Sequence, residues 1–355
     1  MNITYLLGAG ASYNALPVVE KIPETLLEFA FQFNPRIYLE YQKNDNPPDF
    51  KKNLICDYFD NTPFTKEKFT LIDEFHKDIL WLRKESRNHT SIDTYAKKLY
   101  LQEDFSLLKK LKYVLSCFFI FEQTSKFDKR YDSFFASILE NLKEIPQNIK
   151  IVSWNYDSQL EIAFSKFSNT SIEKSRNILN TFSKGNQLDN ISNKQEFGVF
   201  KVNGTTTITD KNNNLYDLIQ DYDINKVKLI NSFLEIYENK QLFTEHAPNM
   251  SFAWERFNEN LQFYSDLRNT IDKTDIIIVI GYSFPFFNRK VDEFILNSID
   301  NLKKIYVQDP YSADDILQKI KKLLHSDIYY KDGIGELIEF EAITFKDQFF
   351  IPIEF

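Results

Sequence analysis

The chain reads as an α/β protein, a Rossmann-like parallel sheet domain carrying a large helical insertion. Three observations predict this. Five short apolar segments, spread along the 355 residues, each end in a polar or glycine-rich turn. The longest interval between them carries helical periodicity. The first segment runs directly into a loop of small residues, Gly8-Ala9-Gly10-Ala11-Ser12. In an open parallel sheet, ligands sit in the crevice outside the carboxyl ends of the strands, so five such ends describe one nucleotide-sized site.

Taken in order, Ile3-Thr4-Tyr5-Leu6-Leu7 is the first strand and Gly8 to Ser12 its turn. Residues 19–145 read mostly as helix. Leu26, Phe29, Phe31 and Phe33 are too densely apolar to form one clean stripe, whereas Ile92, Tyr95, Ala96 and Leu99 follow the i, i+3, i+4, i+7 pattern behind Ser91, a suitable N-cap. Phe105 to Thr124 and Tyr131 to Leu142 are further helices, and Lys43 to Asp49, with Pro47-Pro48, is a loop. The second strand, Lys150 to Trp154, ends in Asn155-Tyr156-Asp157, before a helix holding Leu160, Ile162 and Phe164. After a polar loop from Ser183 to Glu196 comes the third strand, Val199 to Val202, ending in Asn203-Gly204.

Residues 208–274 form a further insertion, with a turn at Asp210 to Asn214 and a helix at Asp223 to Tyr237. The fourth strand, Ile276 to Ile280, enters Gly281-Tyr282-Ser283-Phe284, and Asp292 to Ile299 is a helix packing back on the sheet. The fifth, Lys304 to Val307, ends in Gln308-Asp309-Pro310. The domains expected are 1–18 with 146–355 for the sheet, with its insertion near 208–274, and 19–145 for the helical insertion.

Composition narrows the function. Hydrophobic content of 43% and charged content of 26% are those of a globular protein with a full core. The 34 Phe and 19 Tyr are assigned to helical cores, with a protein interface as the alternative. A net charge of −8 argues against a broad nucleic-acid-binding surface, and Lys319-Ile320-Lys321-Lys322 reads as a solvated helix face. The two cysteines, Cys56 and Cys117, are too few for a tetracysteine zinc site, so no metal is expected. Reduced thiols and the absence of a basic, cleavable leader point to the cytoplasm. The apolar stretch Ile276 to Phe287 is broken by Gly281 and Pro285 and falls short of the roughly 18 residues of a membrane span.

Gly8 to Ser12 suits a phosphate-binding turn, in which glycines let the backbone approach a pyrophosphate and a following helix offers its first amides. The third glycine of the dinucleotide fingerprint is replaced by Tyr13. Each remaining turn has a plain alternative: Asp157 as a helix N-cap, Asn203-Gly204 as a tight turn, Gly281-Tyr282-Ser283 likewise. Their joint placement at strand ends is what argues for a site.

Gly8-Ala9-Gly10-Ala11-Ser12, Ser153-Trp154-Asn155-Tyr156-Asp157, Lys201-Val202-Asn203-Gly204 and Ile280-Gly281-Tyr282-Ser283-Phe284-Pro285 together resemble the sirtuin-like NAD-consuming family, in its bacterial antiphage defence branch. The resemblance covers the sheet domain, under half the chain, with the motifs in the same order. It implies NAD as substrate, held across the strand ends. Gly8, Gly10 and Ser12 would hold the pyrophosphate and Gly281 and Ser283 the adenosine half, with Ala9, Ala11, Gly204, Tyr282 and Asp309 as further contacts. Asn155 would position the nicotinamide ribose or the attacking water, and Asp157 would contact or shape the nicotinamide pocket. The activity implied is cleavage of the N-glycosidic bond, giving nicotinamide and ADP-ribose.

Two departures matter. The zinc ribbon of protein deacylases cannot be built from two cysteines. The family's His-Gly is Asn203-Gly204 here, and a missing general base can cost about 10²–10⁴ in rate. Nicotinamide leaves as a neutral molecule, so the loss need not abolish turnover; His246 is one candidate for a substitute base, although an ordinary surface-loop histidine is the favoured reading, and His76, His89 and His325 have no better claim. The leading expectation is therefore an NAD hydrolase acting as the toxic effector of an antiphage system, switched on by a companion protein or by self-assembly into an oligomer. The alternative is a regulatory pseudoenzyme that binds NAD or ADP-ribose. A nicotinamide-dependent oxidoreductase ranks third, because the fingerprint is incomplete and no acidic residue closes a second strand about 20 residues on.

Overall fold

The computed structural model describes residues 1–43, 53–124, 126–141, 145–184, 197–210, 215–216, 225–238, 246–255, 260–324 and 338–355. The expected loops at 44–49 and 185–196, the turn at 211–214 and His325 lie outside these residues, and the His246 side chain is likewise not described. The chain divides into two compact units, one of residues 1–16, 126–205 and 249–355, the other of 17–125 and 206–248.

The first unit is built on a seven-stranded sheet. Its strands are β1 (Ile3–Leu7), β2 (Ile149–Ser153), β3 (Thr181–Ser183), β4 (Gly198–Lys201), β8 (Ile276–Ile280), β9 (Lys304–Gln308) and β10 (Glu339–Ile343). They lie in the order β10-β9-β8-β1-β2-β4-β3, and every pairing is parallel. The α/β class and Rossmann-like parallel sheet expected from the sequence are therefore those observed.

Alternate residues of β1 serve opposite faces, as the pleat requires. Ile3, Tyr5 and Leu7 join one core with helices α7 (Lys129–Ile138) and α8 (Gln159–Ser168), while Leu6 joins the other with α11 (Leu261–Ile271), α12 (Arg289–Leu296) and α13 (Ala313–Leu323). A short helix, α9 (Ile172–Ile178), follows α8. Burial on both faces explains why β8 reads as a continuous apolar run and β1 as one broken only by Thr4. From β1 the chain moves outward through β2 to β3 and β4, then returns to β8 on the other side of β1. The order reverses between β1 and β8, where an open sheet has its ligand crevice.

The second unit holds α1 (Ile22–Gln32), α2 (Pro35–Tyr41), α3 (Leu54–Asn61), α4 (Lys66–Asn88), α5 (Ile92–Leu101), α6 (Phe105–Gln123) and α10 (Lys226–Glu238). A small sheet orders β6 (Leu215–Tyr216), β5 (Gly204–Asp210) and β7 (His246–Met250). Phe29, Phe33, Phe75, Phe118 and Phe233 pack ring to ring, so the aromatic excess fills a helical core. Ser91 caps α5 by accepting from the Thr94 amide at 3.1 Å. Among the described residues, no helix is long and apolar enough to cross a membrane.

Three local expectations are corrected. The turn after β1 opens no α-helix but a single 3₁₀ turn, Ala9–Ser12. A helix would need the Asn14 amide to reach the Gly10 carbonyl. Instead Asn14 donates to Asp128, and the Gly10 and Ala11 carbonyls accept from Arg130. The N-cap position of α8 is Ser158, although the capping oxygen comes from Asp157, whose Oδ1 accepts from the Gln159 amide at 3.0 Å. The helix after β8 starts at Arg289 and ends at Leu296, earlier than its apolar pattern suggested.

Candidate functional site

The two loops at the switch point are locked to each other. Gly8 N donates to Ile280 O and Gly10 N to Gly281 O, both at 3.0 Å. A Cβ on Gly8 would stand 2.6 Å from the Gly281 carbonyl oxygen, and one on Gly10 would stand 2.7 Å from the Gly281 Cα. Gly281 itself has φ +61°, and its Cβ would fall 2.4 Å from the Gly10 Cα. Contact between the loops, together with the left-handed backbone at Gly281, thus requires glycine at all three positions.

Arg130 supports this loop from beneath. Its Nη2 donates to Gly10 O at 3.1 Å and Ala11 O at 2.9 Å while the guanidinium pairs with Asp128, and both side chains are buried. Tyr13 lies against the same guanidinium, 4.2 Å from it to the ring centroid. The sequence reading did not single out Arg130. A basic residue two positions after the Asp128 N-cap was the available signal, and nothing local tied it to a loop 120 residues away.

The β2 loop joins the β1 loop through Ser12. Asn155 Nδ2 donates to Gly8 O at 2.9 Å and lies 3.3 Å from Ser12 Oγ. Ser12 Oγ is 3.0 Å from the Tyr131 hydroxyl, and its hydroxyl favours the charged form of the Asp157 carboxyl. A hydroxyl has two lone pairs and one proton. Accepting from Asn155 and Tyr131 leaves the proton for Asp157. Burial pushes the Asp157 carboxyl up, opposed chiefly by Lys201, and burial also raises the Tyr131 hydroxyl.

Behind Asp157 lies a buried ionic cluster. Lys201, at the end of β4, donates to the Asp157 carbonyl and pairs with Glu161 of α8 at 2.8 Å. Arg176 of α9 donates to Ser158 Oγ at 2.9 Å, and burial lowers its pKa against the pull of Glu161.

At the β4 end, Asn203 is 6% exposed, and its Nδ2 donates to Trp154 O at 2.6 Å. Its Oδ1 and the Trp154 indole nitrogen are buried with no hydrogen-bond partner among the described residues. Buried polar atoms of this kind are rare and mark strain or function. Gly204, at φ +71°, brings its backbone so close to Asn249 that a Cβ would clash outright.

The remaining candidates are spread more widely. Tyr282 faces the core, its ring stacked 4.1 Å from that of Trp154 and its hydroxyl donating to Asp292. Ser283 is exposed, with its carbonyl accepting from Lys319. Asp309 closes the turn that precedes α13, its Oδ1 accepting from the Tyr311 and Ser312 amides at 3.0 and 2.7 Å. Ala9 is exposed at the loop tip and Ala11 is buried. The structure thus brings Gly8, Ser12, Asn155 and Asp157 into one polar cluster, adds Gly10 and Gly281 by backbone contact, and gives Ser283 and Asp309 local roles of their own. His76, its pKa lowered by burial, and His89 belong to the helical unit.

These features define a Rossmann-like α/β protein whose glycine loops meet at the sheet's switch point. No protein-family model matches the chain, and neither does any curated protein.

Proposed function

We propose that this protein hydrolyses NAD, breaking the bond between the nicotinamide nitrogen and ribose C1′. The bonding pair leaves with neutral nicotinamide, water adds to C1′ and releases a proton, and ADP-ribose results. The observation that carries the proposal is the Asn155 amide, which spans the Gly8 carbonyl and the Ser12 hydroxyl and so fixes the β1 and β2 loops as one unit. Such preorganisation keeps polar groups oriented without reorganisation during the reaction. The motif resemblance adds the biological setting proposed here, a toxic effector of antiphage defence in the cytoplasm that is activated by a companion protein or by oligomerisation.

Nicotinamide release from NAD tests the proposal, measured with and without proteins encoded beside this one. Asn155→Ala is expected to lower the rate about 10²–10³-fold, the loss typical of one preorganised polar group. Release that ignores this substitution, in a folded variant, overturns the proposal. A second reading, a pseudoenzyme that binds NAD or ADP-ribose, is favoured by Asn203, whose amide donates to a backbone carbonyl and cannot take up a proton as a base at neutral pH. Binding without turnover under every condition selects it.

A further inference from the structure

We propose that Lys201 is a positioning residue: anchored by Glu161, its buried ammonium holds the Asp157 carbonyl in place and serves as counter-charge to the Asp157 carboxylate. The inference deepens the hydrolase reading and, as a role in catalysis, rests on it. Lys201 and Glu161 are 2% and 0% exposed, so neither charge is solvated, and each depends on the other. Nothing in a parallel sheet requires a lysine at the last residue of β4, where a buried apolar residue would pack without desolvating a charge. The ammonium meets the main chain of the Asp157 turn from one side, and Arg176 meets the adjoining Ser158 hydroxyl.

Each element packed against the Asp157 carboxylate contributes a group. Lys201 comes from β4, Glu161 from α8, Tyr131 from α7 and Ser12 from the β1 loop. Asp128 and Arg130 act on the Tyr131 hydroxyl behind them. Burial and Glu161 favour the protonated carboxyl, whereas Lys201, the Gln159 amide and Ser12 favour the carboxylate. Of the charged neighbours, Lys201 has the larger effect and Glu161 the smaller.

The test is a ¹³C NMR titration of protein labelled at aspartate Cγ, with the Asp157 signal assigned by Asp157→Asn. Lys201→Met is expected to raise the Asp157 midpoint by about 1 pH unit or more, the low end of what a close opposite charge supplies. Glu161→Gln is expected to lower it. The double variant, Lys201→Met with Glu161→Gln, leaves no unpaired charge of this pair in the core and is expected to titrate above wild type, which decides the matter if Lys201→Met alone does not fold. A purely structural lysine would leave the double variant at the midpoint of Glu161→Gln, below wild type, and that result overturns the proposal. Nicotinamide release is read on the same samples. Wild-type protein without turnover removes the hydrolase reading, while the titration still reports whether Lys201 controls Asp157.

Discussion

Replacing Gly281 by alanine perturbs the contact between the β1 and β8 loops and little else. The methyl group would lie 2.4 Å from Gly10 Cα and 2.5 Å from Gly10 C, both backbone atoms that cannot rotate away. An L-residue in the left-handed region costs about 1–2 kcal/mol, and forced overpacking costs about 1–3 kcal/mol more. A loss of about 2–5 kcal/mol is therefore expected for Gly281→Ala. Gly198 is the control. The same methyl there meets Phe200 Cε2 at 3.5 Å and Phe182 Cε2 at 3.8 Å, ordinary contact distances. Alanine in a strand interior avoids the entropy cost of glycine, so Gly198→Ala should stabilise by about 0.5–1 kcal/mol. Urea unfolding followed by tryptophan fluorescence in a Trp81→Phe background makes the comparison, because Trp154 and Trp254 both belong to the sheet unit. Equal midpoints for the two alanine variants would refute the reasoning, and so would a Gly281→Ala loss below about 1 kcal/mol.

Arg130→Met should cost about 3–5 kcal/mol in the same assay, since it leaves the fully buried Asp128 carboxylate without its cation. Adding Asp128→Asn should recover part of that loss. Asp292 is held well above the usual carboxylate range by burial, against the hydrogen bond from Tyr282, and its Oδ2 has no partner among the described residues. The native state therefore keeps a proton that the unfolded chain releases near pH 4, and stability falls as pH rises from there toward the folded value. Asp292→Asn should match wild type below pH ~4 and exceed it at pH ~8 by at least about 1.4 kcal/mol, one unit's worth; urea midpoints at the two pH values measure this.

The strands were legible where burial on both faces left an uninterrupted apolar run, as in Ile276–Ile280. They were not legible at the sheet's edges. β3 has only three residues, and β10 places Glu339 and Glu341 on its exposed face, paired with Lys304. Charge on an edge strand guards it against pairing with other chains, and it also hides the strand in a hydropathy pattern. Asn155 and Asp157 stood out because they sit at a strand end, and the structure joins both to Ser12. The support for that cluster was hidden. Tyr131 reads as an ordinary apolar position of α7 and Lys201 as an ordinary strand residue, since only the parallel register brings them behind the loop. The glycines also answer to a contact that the sequence does not show, since the structure presses them against the β8 loop.

The ordering of the sheet also bears on how the protein is made. β1 leaves the ribosome long before either neighbour, because Asn155 is synthesised 147 residues after Gly8 and Asp275, which fixes the Asn2 amide, 273 residues after it. At about 5–20 residues per second, the second interval takes roughly 15–55 s. A nascent chain can therefore pair β1 with β2 first, while the Gly8 and Gly10 amides lack their partner carbonyls until translation has passed Gly281. Asn155 can reach Gly8 and Ser12 on such a partial chain, whereas the other side of the glycine loop is fixed only when the β8 loop arrives.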